Sequence, residues 1–333
     1  MGKIIQANDL RVKDRVNLGE ACPLPGPLVM YVEPTSLCNL RCQFCPTGYK
    51  DLRSQRPNGQ MKLELVYKIL VDLQNWGHRP KRIIFYKDGE PLVHTGFPAL
   101  VRWFYMAKVT DSLWTKTNGL NLAPELNQKL VSCGLNWIGV SINGLNEQDY
   151  QTKTRTRVDF KKLVAGVRDL YDRRGKVHLY VKLLDSGFSE SEIQQFYDIF
   201  QPISDTCAVE KMHNWSTNGG KDLMMGQHPD TFEGIPLVEK IACPVPFYHM
   251  VINWDGTIEP CVEDWQHGEM LGDVNLQSLE QIWGSLAMQK FWLMHLRGNR
   301  QLSPICGRCY FQKTVPDNID PYRAEITRRI TNV

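Results

Sequence analysis

Three cysteines, Cys38, Cys42 and Cys45, stand close together in the stretch Cys38-Asn-Leu-Arg-Cys42-Gln-Phe44-Cys45-Pro46. Three thiolates at CX3CX2C spacing can hold three irons of a 4Fe-4S cluster. The fourth iron stays open to an outside ligand, because the next cysteine is Cys133. Iron-sulfur clusters are normally held by four thiolates, so this run suits a cluster that binds a substrate or cofactor rather than one that only carries electrons. A structural zinc site joins one close cysteine pair to a second pair, and no matching half follows nearby. A second set lies beyond residue 240: Cys243, Cys261, and the closing pair of Cys306-Gly-Arg-Cys309. Four thiolates complete a cluster with no open iron. A four-thiolate zinc site is the alternative, although only one CX2C pair is present.

The segment Arg82-Ile-Ile-Phe-Tyr-Lys87-Asp88-Gly89-Glu90-Pro91-Leu92 reads as an apolar, β-branched strand running into a Gly-Glu-Pro turn. Together with the three-cysteine run it resembles the signature of the radical S-adenosylmethionine enzymes, in which Phe44 matches the aromatic residue common before the third cysteine. Asp88-Gly89-Glu90 is similar to the family's GGEP loop, whose backbone grips the amino group of the methionyl moiety; Asp88 stands where the first glycine is usual. The resemblance implies S-adenosylmethionine as cofactor and a flavodoxin- or ferredoxin-type electron donor. It implies further cofactor contacts at Asn118 and at Ser141 and Asn143, the last two resembling positions that touch the ribose or carboxylate. Asn143-Gly144 is also plain turn chemistry. Arg155 and Arg157 suit a methionyl carboxylate, and equally a solvated helix face. Farther on, Asn253-Trp-Asp-Gly256-Thr-Ile-Glu-Pro-Cys261 reads as a hairpin whose Asp-Gly turn delivers Cys261. This GX4C hairpin and the closing CX2C resemble the SPASM and Twitch cluster domains. Four cysteines, where a full SPASM domain has seven, imply a single auxiliary 4Fe-4S cluster, and so two clusters in all.

These residues need elements to hold them. Short apolar strands near 28–34, 81–87, 112–117, 136–142, 177–184 and 205–212 alternate with amphipathic helices near 62–76, 97–108, 123–133, 146–173 and 189–200. That alternation predicts a parallel sheet wrapped by helices, and six βα units are too few for a closed eight-fold barrel. The expected fold class is α/β: the family's partial (β/α)6 barrel followed by a small auxiliary-cluster domain. In such folds the C-terminal strand ends form the active-site mouth, and the cysteine loop, the Gly-Glu-Pro turn, Asn118 and Ser141 all fall there. The expected division is a lead-in (1–27), the barrel (28–215), a linker (216–240) able to cover the mouth, the cluster domain (241–313) and a tail (314–333).

Composition narrows the setting. The chain has 333 residues, 42% hydrophobic and 23% charged, enough for one sizeable core and a smaller satellite. Its 39 basic and 36 acidic residues leave a net charge of +3, which gives no electrostatic case for nucleic acid or an anionic membrane. The N-terminus lacks a signal-peptide h-region and has Gln6 where a myristoylation site wants Ser or Thr; no apolar run has membrane-spanning length. Ten cysteines point to metal ligation in a reducing cytosol rather than to disulfides, and so to a cytoplasmic protein.

By resemblance, the open iron binds S-adenosylmethionine, and a 5′-deoxyadenosyl radical takes a hydrogen atom from the substrate. An adjacent fully ligated cluster then suits removal of a second electron, leaving a ketone. The four-cysteine set is similar to that of the 2-deoxy-scyllo-inosamine dehydrogenase group, which oxidises aminocyclitols. The leading expectation is therefore oxidation of a secondary alcohol on a small sugar, aminocyclitol or nucleoside. Epimerisation, with Cys207 as hydrogen donor, and peptide side-chain modification are the alternatives; the 27-residue lead-in is short for a leader-binding domain. Lys87, Lys182, Glu210, Lys211 and His213 are the strand-end candidates for substrate binding or proton transfer. Period-2 alternation places Lys211 and His213 on one face of their strand and Glu210 on the other. Cys133, at the end of its helix, reads as a buried apolar side chain, and Cys22 falls in the extended lead-in to the first strand.

Overall fold

Six segments of mostly apolar, alternately facing residues pair side by side, in the order the sequence predicts. A computed structural model describes residues 2–5, 15–212, 215, 220–227, 231–232 and 235–332. Its strands are β1 (Lys3–Ile4), β2 (Val29–Val32), β3 (Arg82–Ile84), β4 (Leu113–Thr117), β5 (Trp137–Ile142), β6 (His178–Asp185), β7 (Thr206–Lys211), β8 (Thr231–Phe232), β9 (Ile235–Pro236), β10 (His249–Ile252), β11 (Thr257–Glu259) and β12 (Gly272–Asp273). The helices are α1 (Leu18–Ala21), α2 (Lys50–Arg53), α3 (Leu63–Trp76), α4 (Phe97–Ala107), α5 (Pro124–Ser132), α6 (Glu147–Thr154), α7 (Phe160–Arg173), α8 (Glu190–Phe200), α9 (Leu279–Trp283), α10 (Leu286–Leu296) and α11 (Arg323–Thr331). Strands β2 to β7 pair in parallel, each with the next, which is the partial barrel.

The sheet extends beyond those six at both edges. β1, from the lead-in, pairs in parallel with β7. β10, from the cluster region, pairs in parallel with β2 from His249↔Val29 to Ile252↔Val32, and β11 and β12 continue antiparallel from it. The Asp255-Gly256 turn closes the β10–β11 hairpin, with Gly256 at φ 96, a left-handed conformation that costs glycine little. The helix expected over 146–173 is two helices. Arg155 ends α6 at φ 51, and Asp159 caps α7 by accepting from the Lys162 N–H at 2.9 Å, so the chain turns between them.

Alternation along each strand sorts the side chains. Ile83, Phe85, Ile138, Val140, Leu179 and Val181 are buried under the helices in the main core. Trp137, Tyr180 and Ala208 form a separate cluster on the lumen side, joined by Trp114. Cys207 belongs to the helix-side core, opposite Ala208.

A buried set of charges fixes the cluster region to the barrel. Arg56 donates to both carboxylate oxygens of Glu33 at 3.0 and 3.2 Å and to Asp88. Lys87 lies 3.3 Å from Asp88 and donates to Glu259 at 2.5 Å, the Asn253 side chain at 3.0 Å and the Asp264 carbonyl at 2.9 Å. None of the five charged side chains is more than 2% exposed. Three carboxyl groups face two cations here. Burial pushes Glu259 up to about 8 despite the pull of Lys87, while for Lys87 burial is outweighed by Glu259 and Asp88, which raise it.

Breaking such a network by removing one partner leaves an uncompensated buried charge. Lys87→Met is therefore expected to lower the unfolding free energy by about 3–5 kcal/mol, seen as a melting temperature several degrees below wild type. Asp88→Gly, which restores the family's usual glycine, should destabilise as well. An unchanged melting temperature in both variants contradicts the role assigned to the network.

Candidate active site

A cavity of about 670 Å³ runs through the barrel lumen. Cys38, Cys42, Cys45 and Phe44 line its mouth, next to Gly89 and Glu90, Thr117 and Asn118, and Ser141 and Asn143. Four separate strand ends thus meet at one rim, as their positions in the sequence imply.

Local hydrogen bonds set this rim. The Glu90 carboxylate accepts from the Thr117 hydroxyl at 2.6 Å, the Asn118 N–H at 2.6 Å and the Leu92 N–H at 3.0 Å, which ties the Gly-Glu-Pro turn to the end of β4. Its own N–H donates to the Leu37 carbonyl at 2.9 Å. Gly89 passes so close to the cysteine loop that a Cβ there would overlap the Thr35 carbonyl oxygen. Asn118 donates to Asn39 at 2.7 Å. On the other side, the N–H groups of Arg41 and Gln43 donate to the carbonyls of Thr154 and Lys153 at the end of α6. The Asn143 N–H donates to the Tyr150 hydroxyl at 3.2 Å.

The thiols fit the groups their spacing implies. Burial pushes Cys38 up to about 12 and raises Cys42 and Cys45, and Cys38 and Cys45 each add to the rise of Cys42. In the second set burial raises Cys243 to about 11 and Cys306 to about 12, with Cys261 and Cys309 also raised; Cys243 acts on each of the other three. Each set is therefore one mutually interacting group of thiols. Among the described residues no three His, Cys, Asp or Glu side chains are placed to hold a single metal ion. Because the ligand is thiolate, cluster assembly must release protons from both sets.

The remaining candidates separate. Glu210 faces the lumen and is paired with Lys182, accepting also from the Tyr180 hydroxyl at 3.0 Å. Burial alone would raise it, but Lys182 and then Lys116 hold it down to about 2, so it is a carboxylate at neutral pH. Lys211 is exposed on β7 and reaches the rim. His213 lies outside the described residues. Lys87 lines the cavity, but its ammonium is spent on the buried network. Asp88 is likewise turned to Arg56 and Lys87. Arg155 does not line the cavity; its guanidinium stacks over Tyr49, 4.4 Å from the ring centroid. Cys207 lies on the far face of β7, near Tyr197 of α8. From the linker, Leu223 lines the cavity.

Sequence reasoning missed several lumen residues. Tyr31, Arg82, Trp114, Trp137 and His249, on β2 to β5 and β10, and Tyr86, two residues after β3, line the cavity. Period-2 alternation was the available signal, but by itself it does not say which face is the lumen. Trp114 and Trp137 stack at 4.6 Å.

Residues 32–200, half of the chain, match the radical SAM superfamily, and the chain belongs to that superfamily. It is a radical SAM enzyme, a class that uses S-adenosylmethionine and a 4Fe-4S cluster. Residues 243–310 match the SPASM iron-sulfur cluster-binding domain, so this enzyme carries an auxiliary iron-sulfur domain as well. Among proteins similar in sequence, GTP 3′,8-cyclase from Peptoclostridium acidaminophilum is 28% identical over 50% of this chain and 49% of its own length. The chain thus spans about half the length of that relative. The tungsten-containing aldehyde ferredoxin oxidoreductase cofactor-modifying protein of Pyrococcus furiosus is 24% identical over 84% of this chain and 86% of its own. The fold is shared with BtrN in complex with AdoMet and 2-DOIA (TM-score 0.55, 18% identity, covering 84% of this chain and 92% of that one). It is shared also with anSMEcpe with bound AdoMet (TM-score 0.59, 14% identity, covering 92% and 94%). No helix among the described residues is long and apolar enough to cross a membrane.

Two measurements test the site. Anaerobically reconstituted protein should hold about eight irons, and the Cys38→Ala/Cys42→Ala/Cys45→Ala variant about four with no S-adenosylmethionine cleavage, by cluster stoichiometry; zinc in the second site would contradict it. The second uses Glu90, which burial pushes up to about 6 against its three hydrogen bonds. The ionised form holds the turn and is lost as pH falls through that value. S-adenosylmethionine should therefore bind about fourfold more weakly at pH 5.5 than at pH 7.5, and Glu90→Gln should abolish this pH dependence. Equal pH dependence in wild type and variant would remove Glu90 from this role.

Proposed function

We propose that the enzyme oxidises a secondary alcohol on a small polar substrate, a sugar, aminocyclitol or nucleoside, by two electrons. The observation that carries this reading is one shared cavity. Its walls include the three-cysteine loop at the mouth and, from the SPASM region, Val262 and Glu263 directly after Cys261. A substrate in the lumen would lie within reach of both cysteine sets.

The bound groups would supply, at Cys38, Cys42 and Cys45, a 5′-deoxyadenosyl radical as hydrogen-atom acceptor and, at Cys243, Cys261, Cys306 and Cys309, an acceptor for the second electron. The chain's own residues position and enclose. Phe44, Asn118, Ser141 and Asn143 shape the cofactor's place at the mouth, where orientation and exclusion of water do most of the work. The ionised Glu210, held by Lys182 and Tyr180, offers an acceptor for substrate hydroxyl or amine groups. A flavodoxin- or ferredoxin-type donor would provide the initial electron.

Epimerisation would need a hydrogen donor on the lumen. Cys207 faces the helices, and the described residues lining the cavity include no thiol beyond the three at the mouth. Both facts favour oxidation.

Anaerobic incubation with S-adenosylmethionine and a panel of sugars, aminocyclitols and nucleosides should yield 5′-deoxyadenosine and a product lighter by about two mass units. One hydrogen is taken as an atom into 5′-deoxyadenosine, and the other leaves the hydroxyl as a proton to solvent while its electron passes to the second cluster. An isobaric product carrying solvent deuterium would replace this reading with epimerisation. Cys306→Ala/Cys309→Ala, first shown to be folded because metal ligation contributes to folding of such domains, should still form 5′-deoxyadenosine while product falls more than tenfold. Full product formation without that cluster would contradict the proposal.

A further inference from the structure

Three cations of the lumen are paired directly with carboxylates. Lys182 pairs with Glu210, Lys87 with Glu259 and Arg15 with Asp317. Arg82 differs. Its guanidinium carbon lies 3.4 Å from the Trp114 ring centroid, and its Nε is buried with no hydrogen-bond partner. The ionisable groups acting on it are the phenols of Tyr31 and Tyr86; no carboxylate faces it, and burial lowers its pKa. Lys116 is the next inward position after Trp114 on β4. Its ammonium sits 5.5 Å from the Tyr86 ring centroid and is answered by Glu210, which it helps to hold ionised. Both side chains line the cavity.

A desolvated guanidinium with no counter-charge is costly, and an unsatisfied buried donor calls for a partner. Stacking on Trp114 occupies a face of the guanidinium and leaves its in-plane N–H groups to point at a ligand. That fork matches the oxygens of a phosphate or carboxylate. The position also suits a substrate tail. Arg82 is level with Val29 at the start of β2, whereas the cysteine loop leaves the far end of that strand, so the two levels are roughly 10 Å or more apart at about 3.3 Å per residue.

We propose that Arg82 forms a subsite for an anionic oxygen group of the substrate, a phosphate ester or a carboxylate, toward the base of the lumen. The substrate is then an anionic sugar, cyclitol or nucleoside derivative, held by its charged end with the carbon to be oxidised toward the mouth. The orientation rests on the oxidation reading above; the anion site itself does not need turnover.

The test is isothermal titration calorimetry on the anaerobically reconstituted full chain with inorganic phosphate, glucose 6-phosphate, glucuronate and glucose. At least one of the two charged sugars should bind ten or more times tighter than glucose, and which one does so distinguishes phosphate from carboxylate. Arg82→Gln should weaken that binding tenfold or more, with glucose unaffected. Cluster absorbance and melting temperature report whether the variant is folded; if it is not, Arg82→Lys, which keeps the charge but loses the fork, carries the comparison. The proposal is overturned if both charged sugars and phosphate bind no better than glucose, or if replacing Arg82 does not affect their binding. Because binding is read without catalysis, such a failure leaves the two-mass-unit test of oxidation untouched, and failure of that test leaves the binding result standing.

Discussion

The structure depends on five charged side chains enclosed where four parts of the chain meet. Glu33 comes from the end of β2, Arg56 from the segment after the cysteine loop, Lys87 and Asp88 from the turn after β3, and Glu259 from the hairpin that leads to Cys261. Desolvated ions tolerate few alternative arrangements, because each displaced partner leaves a charge unanswered in a medium of low dielectric. The network thus pins the Gly-Glu-Pro turn and the cluster hairpin to one point. Asp88 explains its own departure from the family's glycine: the position gives up backbone freedom and gains a carboxylate between Arg56 and Lys87.

Much of this was legible in the sequence where the signal is local. The six barrel strands and their helices fall where apolar alternation places them, and the Asp255-Gly256 turn marked its hairpin. The break between α6 and α7 was not legible, because Arg155 adopts a left-handed conformation with no glycine to announce it, and the helical pattern runs smoothly across. Nor was the parallel pairing of β10 with β2, a contact between segments some 220 residues apart that leaves no mark on either. Lys87 was legible as a polar strand-end residue, but its partner Glu259 lies 172 positions away, so sequence alone left it a candidate for chemistry. At the site, the cysteines and the rim followed from spacing and strand ends. The lumen aromatics and Arg82 needed knowledge of which strand face turns inward.

The lumen is also electrostatically graded. Near β6 and β7 a carboxylate is held ionised by its lysine and by Lys116; near β3 a guanidinium stands over an aromatic ring without a counter-charge. A polar molecule entering such a space meets acceptors on one wall and donors on another, which constrains its orientation before any reaction begins.

The parallel register of β10 against β2 also holds the two cysteine regions at a fixed spacing. β2 hands the chain to the loop of Cys38, Cys42 and Cys45, and β10 hands it through one hairpin to Cys261. Strands that neighbour each other in a sheet are about 4.8 Å apart and do not slide. The spacing between the loop of Cys38, Cys42 and Cys45 and the hairpin of Cys261 is therefore set by a backbone ladder and two short loops. Swinging of one domain against another has little leverage on that spacing.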